Sequence, residues 1–181
     1  MRQRSGILNT LGRLFRPPRS RTAVAGATSG ARRTTSAAEP ARGGETSTVE
    51  VVPPSRSRLR ISYSPDADDA PDAGEIVWTW VPYDENDGRG KDRPVLVISR
   101  QDEDRVYAVR LTSRAHDGDR DFLAIGPGPW DSQGRPSWID IEQIYSVHAR
   151  GMRREASALP LDRFVRVADA LHRRYGWAVG N

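Results

Sequence analysis

The stretch Lys91-Asp92-Arg93-Pro94-Val95-Leu96-Val97-Ile98-Ser99 constrains the fold of this chain more than any other. Four consecutive apolar residues, three of them β-branched, run from a proline to a polar Ser-Arg-Gln-Asp turn. A run this short and bounded this way reads as a buried central strand. Proline has no N–H to give to a ladder, so it belongs where a strand opens and not inside one. The pattern predicts a strand over 95–99 with Arg93 held at its mouth, the guanidinium aimed out of the sheet.

The chain beyond Gly74 supplies further short strands. Ile76, Trp78 and Trp80 alternate with Val77, Thr79 and Val81, the period of a half-buried strand. The charged segment 82–91, with Asp87-Gly88 and Gly90, reads as a hairpin tip or flap. Arg105 to Thr112 alternates less cleanly and is still a strand. Phe122 to Ile125 is a short one, ended by Gly126-Pro-Gly-Pro129. Residues 138–144 and 145–149 form one bent or two short strands closed by Gly151. Phe164, Val167, Ala168, Leu171 and Tyr175 then recur at helical spacing, with Asp162 placed to cap the helix and Gly176 to end it. The fold class is mainly β: a small barrel whose C-terminal helix covers an open face.

Charge divides unevenly along the chain. Residues 1–60 carry twelve arginines against three glutamates, and 61–74 carry four aspartates and no cation. From residue 75 onward the two signs nearly cancel, so the basic character belongs to the front of the chain and says little about the domain behind it. Residues 17–74 are rich in Ser, Thr, Ala, Gly, Pro and Arg and are expected to be disordered, having too little apolar surface to offset chain entropy. Within residues 5–16, Ile7, Leu8, Leu11, Leu14 and Phe15 share a helical face flanked by Arg4, Arg13 and Arg16. That is either a short basic amphipathic helix for an anionic membrane or a partner, or a nascent segment too short to hold in water. The expected division is a tail over 1–73 and a barrel domain over 74–181.

Several chemistries drop out. The chain has no cysteine, which excludes a disulfide framework, a thiolate nucleophile and thiolate-held zinc. His116, His148 and His172 have unrelated spacings, so no metal or other cofactor is expected. No apolar run nears the roughly 18 residues of a membrane span and nothing resembles a secretory leader, so the expected location is cytoplasmic. What remains sits at two strand ends. If 95–99 and 105–112 pair antiparallel, the start of one lies beside the end of the other. Arg93 then meets Thr112, Ser113 and Arg114. A guanidinium beside a hydroxyl suits a transferring phosphoryl group.

The order Gly-Glu-Ile-Val-Trp (74–78), a charged loop, Arg-Pro-Val-Leu-Val-Ile (93–98), Val-Arg-Leu-Thr-Ser (109–113) and Ala-Arg-Gly (149–151) before a final helix resembles the MazF/PemK family. These are toxin ribonucleases of bacterial toxin–antitoxin pairs. The resemblance implies an SH3-like barrel, a homodimer, and cleavage of single-stranded RNA at short sequences without a metal, under control of an antitoxin protein. By position it places the catalytic arginine on Arg93, the hydroxyl residue on Thr112, and an acid for acid–base work or substrate contact on Asp140. Trp138 stands where PemK-like members carry a basic residue, and the loop before Arg93 assigns no acid among Asp84, Glu85 and Asp87. The mechanism fits the inventory, because RNA carries its own 2′-OH nucleophile and needs orientation, proton removal and charge stabilisation. Ser113, Arg114 and Trp80 are the expected substrate contacts. Trp80, Trp130 and Trp138 offer faces on which bases stack, or else pack in the barrel. The alternative is a non-catalytic SH3-like module that binds RNA or protein and is recruited by the basic tail, which itself would contact anionic membrane or nucleic acid.

Overall fold

Alternation along Glu75–Pro82 sends Ile76 to one side of a strand and Val77, Thr79 and Val81 to the other, and all four are buried. The same logic builds the rest of the molecule in the residues that the computed structural model describes: 44–66, 70–83 and 87–180, with 154–156 as backbone only. In chain order the elements are β1 (Val49–Val51), β2 (Arg60–Ile61), β3 (Glu75–Pro82), β4 (Gly90–Arg100) and β5 (Arg105–Thr112). There follow β6 (Phe122–Gly126), β7 (Ser137–Asp140), β8 (Ile144–His148), a 3-10 turn Ala149–Gly151, β9 (Met152–Ala158), α1 (Leu161–Tyr175) and β10 (Ala178–Val179).

The main sheet runs β1-β8-β5-β4-β3-β9, every pair antiparallel, and curls into a half-barrel. β5 changes neighbours along its length. Arg105–Ala108 pair with β8 on one flank, and beyond them Leu111 and Thr112 pair with β7, which carries β6. One face of the sheet packs Ile76, Leu96, Ile98, Val109 and Leu111 against Phe164, Val167, Ala168 and Leu171 of α1. The other gathers Val77, Val81, Val95, Val97, Ala108 and Val147. β4 is therefore buried on both faces, as its apolar run requires. Gly176 ends α1 in the left-handed conformation at φ 73°, its N–H bonded to the His172 carbonyl.

Four expectations change. β4 starts at Gly90, so Pro94 lies inside it. Along 90–94 the strand pairs with β3 on one flank, while its ladder to β5 begins only at Val95↔Arg110. There proline is tolerated as on an edge strand. β9 was not expected, because Met-Arg-Arg-Glu-Ala-Ser-Ala has neither an apolar run nor a clear alternation. Asp162 does not cap α1; Pro160 holds that position, and Asp162 sits in the first turn, where its charge suits the helix dipole.

The largest change concerns the expected tail. Order was expected from Glu75, yet β1 pairs with β8 and β2 with β10. Leu59 and Ile61 lie in the core beside Trp177, and Trp177 donates its indole N–H to the Pro54 carbonyl at 2.9 Å. Residues 44–48 cross to β3, where the Thr48 and Thr79 hydroxyls meet at 2.6 Å. The Arg105 guanidinium donates to the Glu45 and Ser47 carbonyls of this strap and is itself held by Ser146 of β8. Composition averaged over the segment conceals two apolar anchors and the backbone donors that a sheet edge can use. The expected helix over 5–16 lies outside the described residues.

Candidate active site

Where β4 and β5 part, a cleft of about 110 Å³ opens. Continuing the Val95↔Arg110 register by two residues sets Arg93 opposite Thr112, and both line this cleft with Ser113. Pro94 withholds a donor on the β4 side of the gap, and on the β5 side Leu111 and Thr112 pair with β7. The expected meeting of Arg93 with a hydroxyl thus comes from the two strands diverging, with no ladder between them at this point.

The side chains differ in what they have left to offer. Arg93 is half-buried, its Nε is shielded from solvent, and it has no hydrogen-bond partner among the described residues. A guanidinium held without a carboxylate is a standing site for an anion. The Thr112 hydroxyl oxygen accepts the Arg114 backbone N–H at 3.2 Å, which leaves its own proton to donate. Arg114 does not line the cleft, and it serves there through its backbone. Four more charged residues frame the opening: Lys91, the chain's only lysine, Asp92, and the pair Asp131–Arg135, joined at 2.9 Å. The Arg135 hydrogen bond, ahead of every other influence, holds the Asp131 carboxyl below the ordinary value of 3.8. The second acid at the wall, Asp92, accepts from Arg153 Nη2 at 2.8 Å. Each acid of the wall is thus paired with an arginine, and the balance left over, Lys91 and Arg93, is cationic.

Asp140 is placed elsewhere. It is 2% exposed and does not line the cleft. Its Oδ2 accepts from Arg110 at 2.9 and 2.8 Å, and its Oδ1 from the backbone N–H groups of Glu142 and Gln143 at 2.9 and 3.2 Å. Every acceptor site that a proton transfer would use is occupied, and the residue closes the turn between β7 and β8. The tryptophans divide. Trp130 and Trp138 are buried, Trp130 donating to Ser137 at 3.1 Å. Trp80 opens instead onto a second cleft of about 530 Å³ with Tyr83 and Lys91. Trp78, Lys91, Asp92, Asp131 and Arg135 are site residues that the sequence did not single out. Lys91 alone carried a signal, as the one lysine among 28 cations. Among the described residues no cluster of three or more His, Asp or Glu is arranged to hold a metal ion, and no helix is long and apolar enough to cross a membrane.

Residues 72–174 match the family model of PemK-like, MazF-like toxins of type II toxin–antitoxin systems. Among solved structures the chain is similar to MazF (Form-I) from Deinococcus radiodurans, with 26% identity over 59% of this chain and 96% of that one, TM-score 0.43. It is also similar to an endoribonuclease solved with its cognate antitoxin from Mycobacterial species, with 20% identity over 59% and 96%, TM-score 0.45. Mycobacterium tuberculosis toxin MazF-mt6 shows 15% identity over 56% and 97%, TM-score 0.40. No curated protein matches.

Proposed function

The chain belongs to the PemK-like, MazF-like toxin family of type II toxin–antitoxin systems, whose toxins are endoribonucleases, and from that premise we propose that it cuts single-stranded RNA at short sequences by attack of the RNA's own 2′-OH. One observation carries this reading: an unpaired, half-buried Arg93 guanidinium beside the Thr112 hydroxyl, in a cleft whose acids are already neutralised. The 2′-oxygen attacks phosphorus, the P–O5′ bond breaks, the 2′-OH proton leaves to a base and the 5′-oxygen takes up a proton. Arg93 meets the charge that grows on the non-bridging oxygens, and Thr112 donates to one of them. Ser113 lies beside them for the neighbouring phosphate or sugar. The nucleophile belongs to the substrate, so the chemistry needs positioning and charge stabilisation but no metal. An antitoxin protein is the inhibiting partner, and the active form is a homodimer.

The test is a defined single-stranded RNA incubated with the full chain. The expected products are a 2′,3′-cyclic phosphate and a 5′-hydroxyl, formed equally with and without EDTA, and lost when the nucleotide 5′ to the cut is deoxy. Arg93→Ala should lower the rate by about two to three orders of magnitude, the usual loss for one preorganised contact to the transition state. A 5′-phosphate product or dependence on Mg²⁺ contradicts the mechanism. Full activity in Arg93→Ala moves the site.

A further inference from the structure

Trp80 and Asp92 are cross-strand partners in the β3–β4 ladder, as are Thr79 and Arg93 beside them. Opposed residues share a face of the sheet and successive ones alternate, so Asp92 leaves β4 on the side of Trp80, away from Arg93 and Thr79. That side holds the 530 Å³ cleft, a volume within the roughly 300–1,000 Å³ of ligand sites. Trp80 and Tyr83 give it aromatic walls, Arg89 and Lys91 give it charge, and Lys91 and Asp92 also border the Arg93 cleft. The two clefts thus share a wall. The Trp80 ring lies over Gly90: a Cβ there would stand 2.5 Å from the Val81 carbonyl oxygen and 2.6 and 2.7 Å from Cζ2 and Cε2 of the indole. Only a bare Cα lets the ring settle against β4.

Asp92 itself is unfinished. Its Oδ2 has Arg153, but its Oδ1 is shielded from water and has no hydrogen-bond partner among the described residues. Asp131 and Asp140, the other two acids of this region, have both oxygens occupied. An acceptor left without a donor gains from a ligand N–H that displaces the side chains shielding it.

We propose that the Trp80–Asp92 cleft is a nucleobase subsite, which rests on the RNA-cleaving reading above and adds the base it selects. One unpaired base next to the scissile phosphate stacks on Trp80, and Asp92 Oδ1 accepts an exocyclic amine at its Watson–Crick edge. Lys91 meets the phosphate between the clefts. A carboxylate accepts from cytosine N4 and faces repulsion from the uracil O4 at the same place. The subsite therefore selects an amino-bearing base over uracil.

The test pairs cleavage of a randomised RNA, with its ends sequenced, with binding of oligonucleotides made uncleavable by 2′-deoxy substitution and carrying C or U at one position. The full chain should prefer C over U about tenfold at one position beside the cut, and Asp92→Asn should bring that ratio near one at that position alone. Trp80→Ala should weaken binding about tenfold for either base and keep the ratio, which covers the case in which Asp92→Asn does not fold. A uniform rate loss on every sequence in Asp92→Asn would make Asp92 a proton-transfer or positioning group, and an unchanged profile would leave it no role; either overturns the subsite. Cleavage without any C/U ratio also sinks the subsite and spares the enzyme. Binding with a ratio that Asp92→Asn abolishes, but no cleavage, spares the subsite and sinks the enzyme. No binding to any RNA ends both.

Discussion

Asp140 and Arg110 show how one residue pair holds the cleft without entering it. The carboxylate takes two guanidinium hydrogen bonds and two backbone amides while almost wholly buried, and Arg110 lies two residues before Thr112 on β5. Asp140→Ala removes the carboxylate that a largely buried arginine is bonded to, a change that costs about 3–5 kcal/mol in comparable pairs. Urea denaturation should show a loss of that order, with slower cleavage as a consequence. If the variant is as stable as the parent yet inactive, Asp140 reacts rather than supports. Asp131 behaves differently because its partner is half-exposed. Its depressed pKa means that the Arg135 bond stabilises the fold above the ordinary value of 3.8 and is lost as pH falls through the lower folded value. The stability difference between the parent and Arg135→Ala should be small at neutral pH and vanish in strong acid. A difference that persists in acid would show that Arg135 acts through something other than Asp131.

At the scale of elements, the strap over 44–61 is the part of the molecule that its composition hides. Its sequence has no long apolar run, and it contributes two short strands, the buried side chains of Thr48, Leu59 and Ile61, and a carbonyl for Trp177. Gly151, in the Ala-Arg-Gly turn, sits so close to the Thr46 backbone that a Cβ would collide with it. Ile61→Ala should cost about 2–5 kcal/mol, as large-to-small changes in a packed core do. A chain beginning at Asp72 should unfold several degrees lower than one beginning at Gly44. Equal melting of the two would mean that the strap only rests on the barrel. β4 teaches a related lesson. Its apolar half was legible because burial on both faces demands an unbroken run. Its polar half, Gly90 to Arg93, was not, because only the presence of β3 alongside makes those residues a strand.

For the molecule as a whole, net charge is spread unevenly along the chain. Residues 1–43 carry nine arginines and one glutamate, while the cleft presents two uncompensated cations. Removing 1–43 should leave thermal unfolding unchanged and weaken RNA binding. The lost affinity should depend on salt, by about 0.7 decades per decade of salt for each phosphate contact removed. Salt-independent weakening would mean that the segment binds by something other than charge.

What the sequence determined by itself was local or periodic. Alternation placed β3, the apolar run placed β4, the 3.6 spacing from Phe164 to Tyr175 placed α1, and Gly176 ended it. Each of these signals is carried by near neighbours, and each depends on burial that neighbouring residues share. The motif order was enough to single out Arg93 and Thr112. Only the tertiary structure decided what those residues are free to do. That Asp140 is saturated while Asp92 is not depends on Arg110, on Arg153 and on two backbone amides, partners 30 and 61 residues distant in the first two cases. The cleft likewise lies where the β4–β5 ladder stops at Val95↔Arg110 while β5 runs on to pair with β7, an arrangement of strands that no window of sequence contains. Hydrogen-bond capacity is spent pairwise across the fold, so what is left over for a substrate is known only once every other partner is in place.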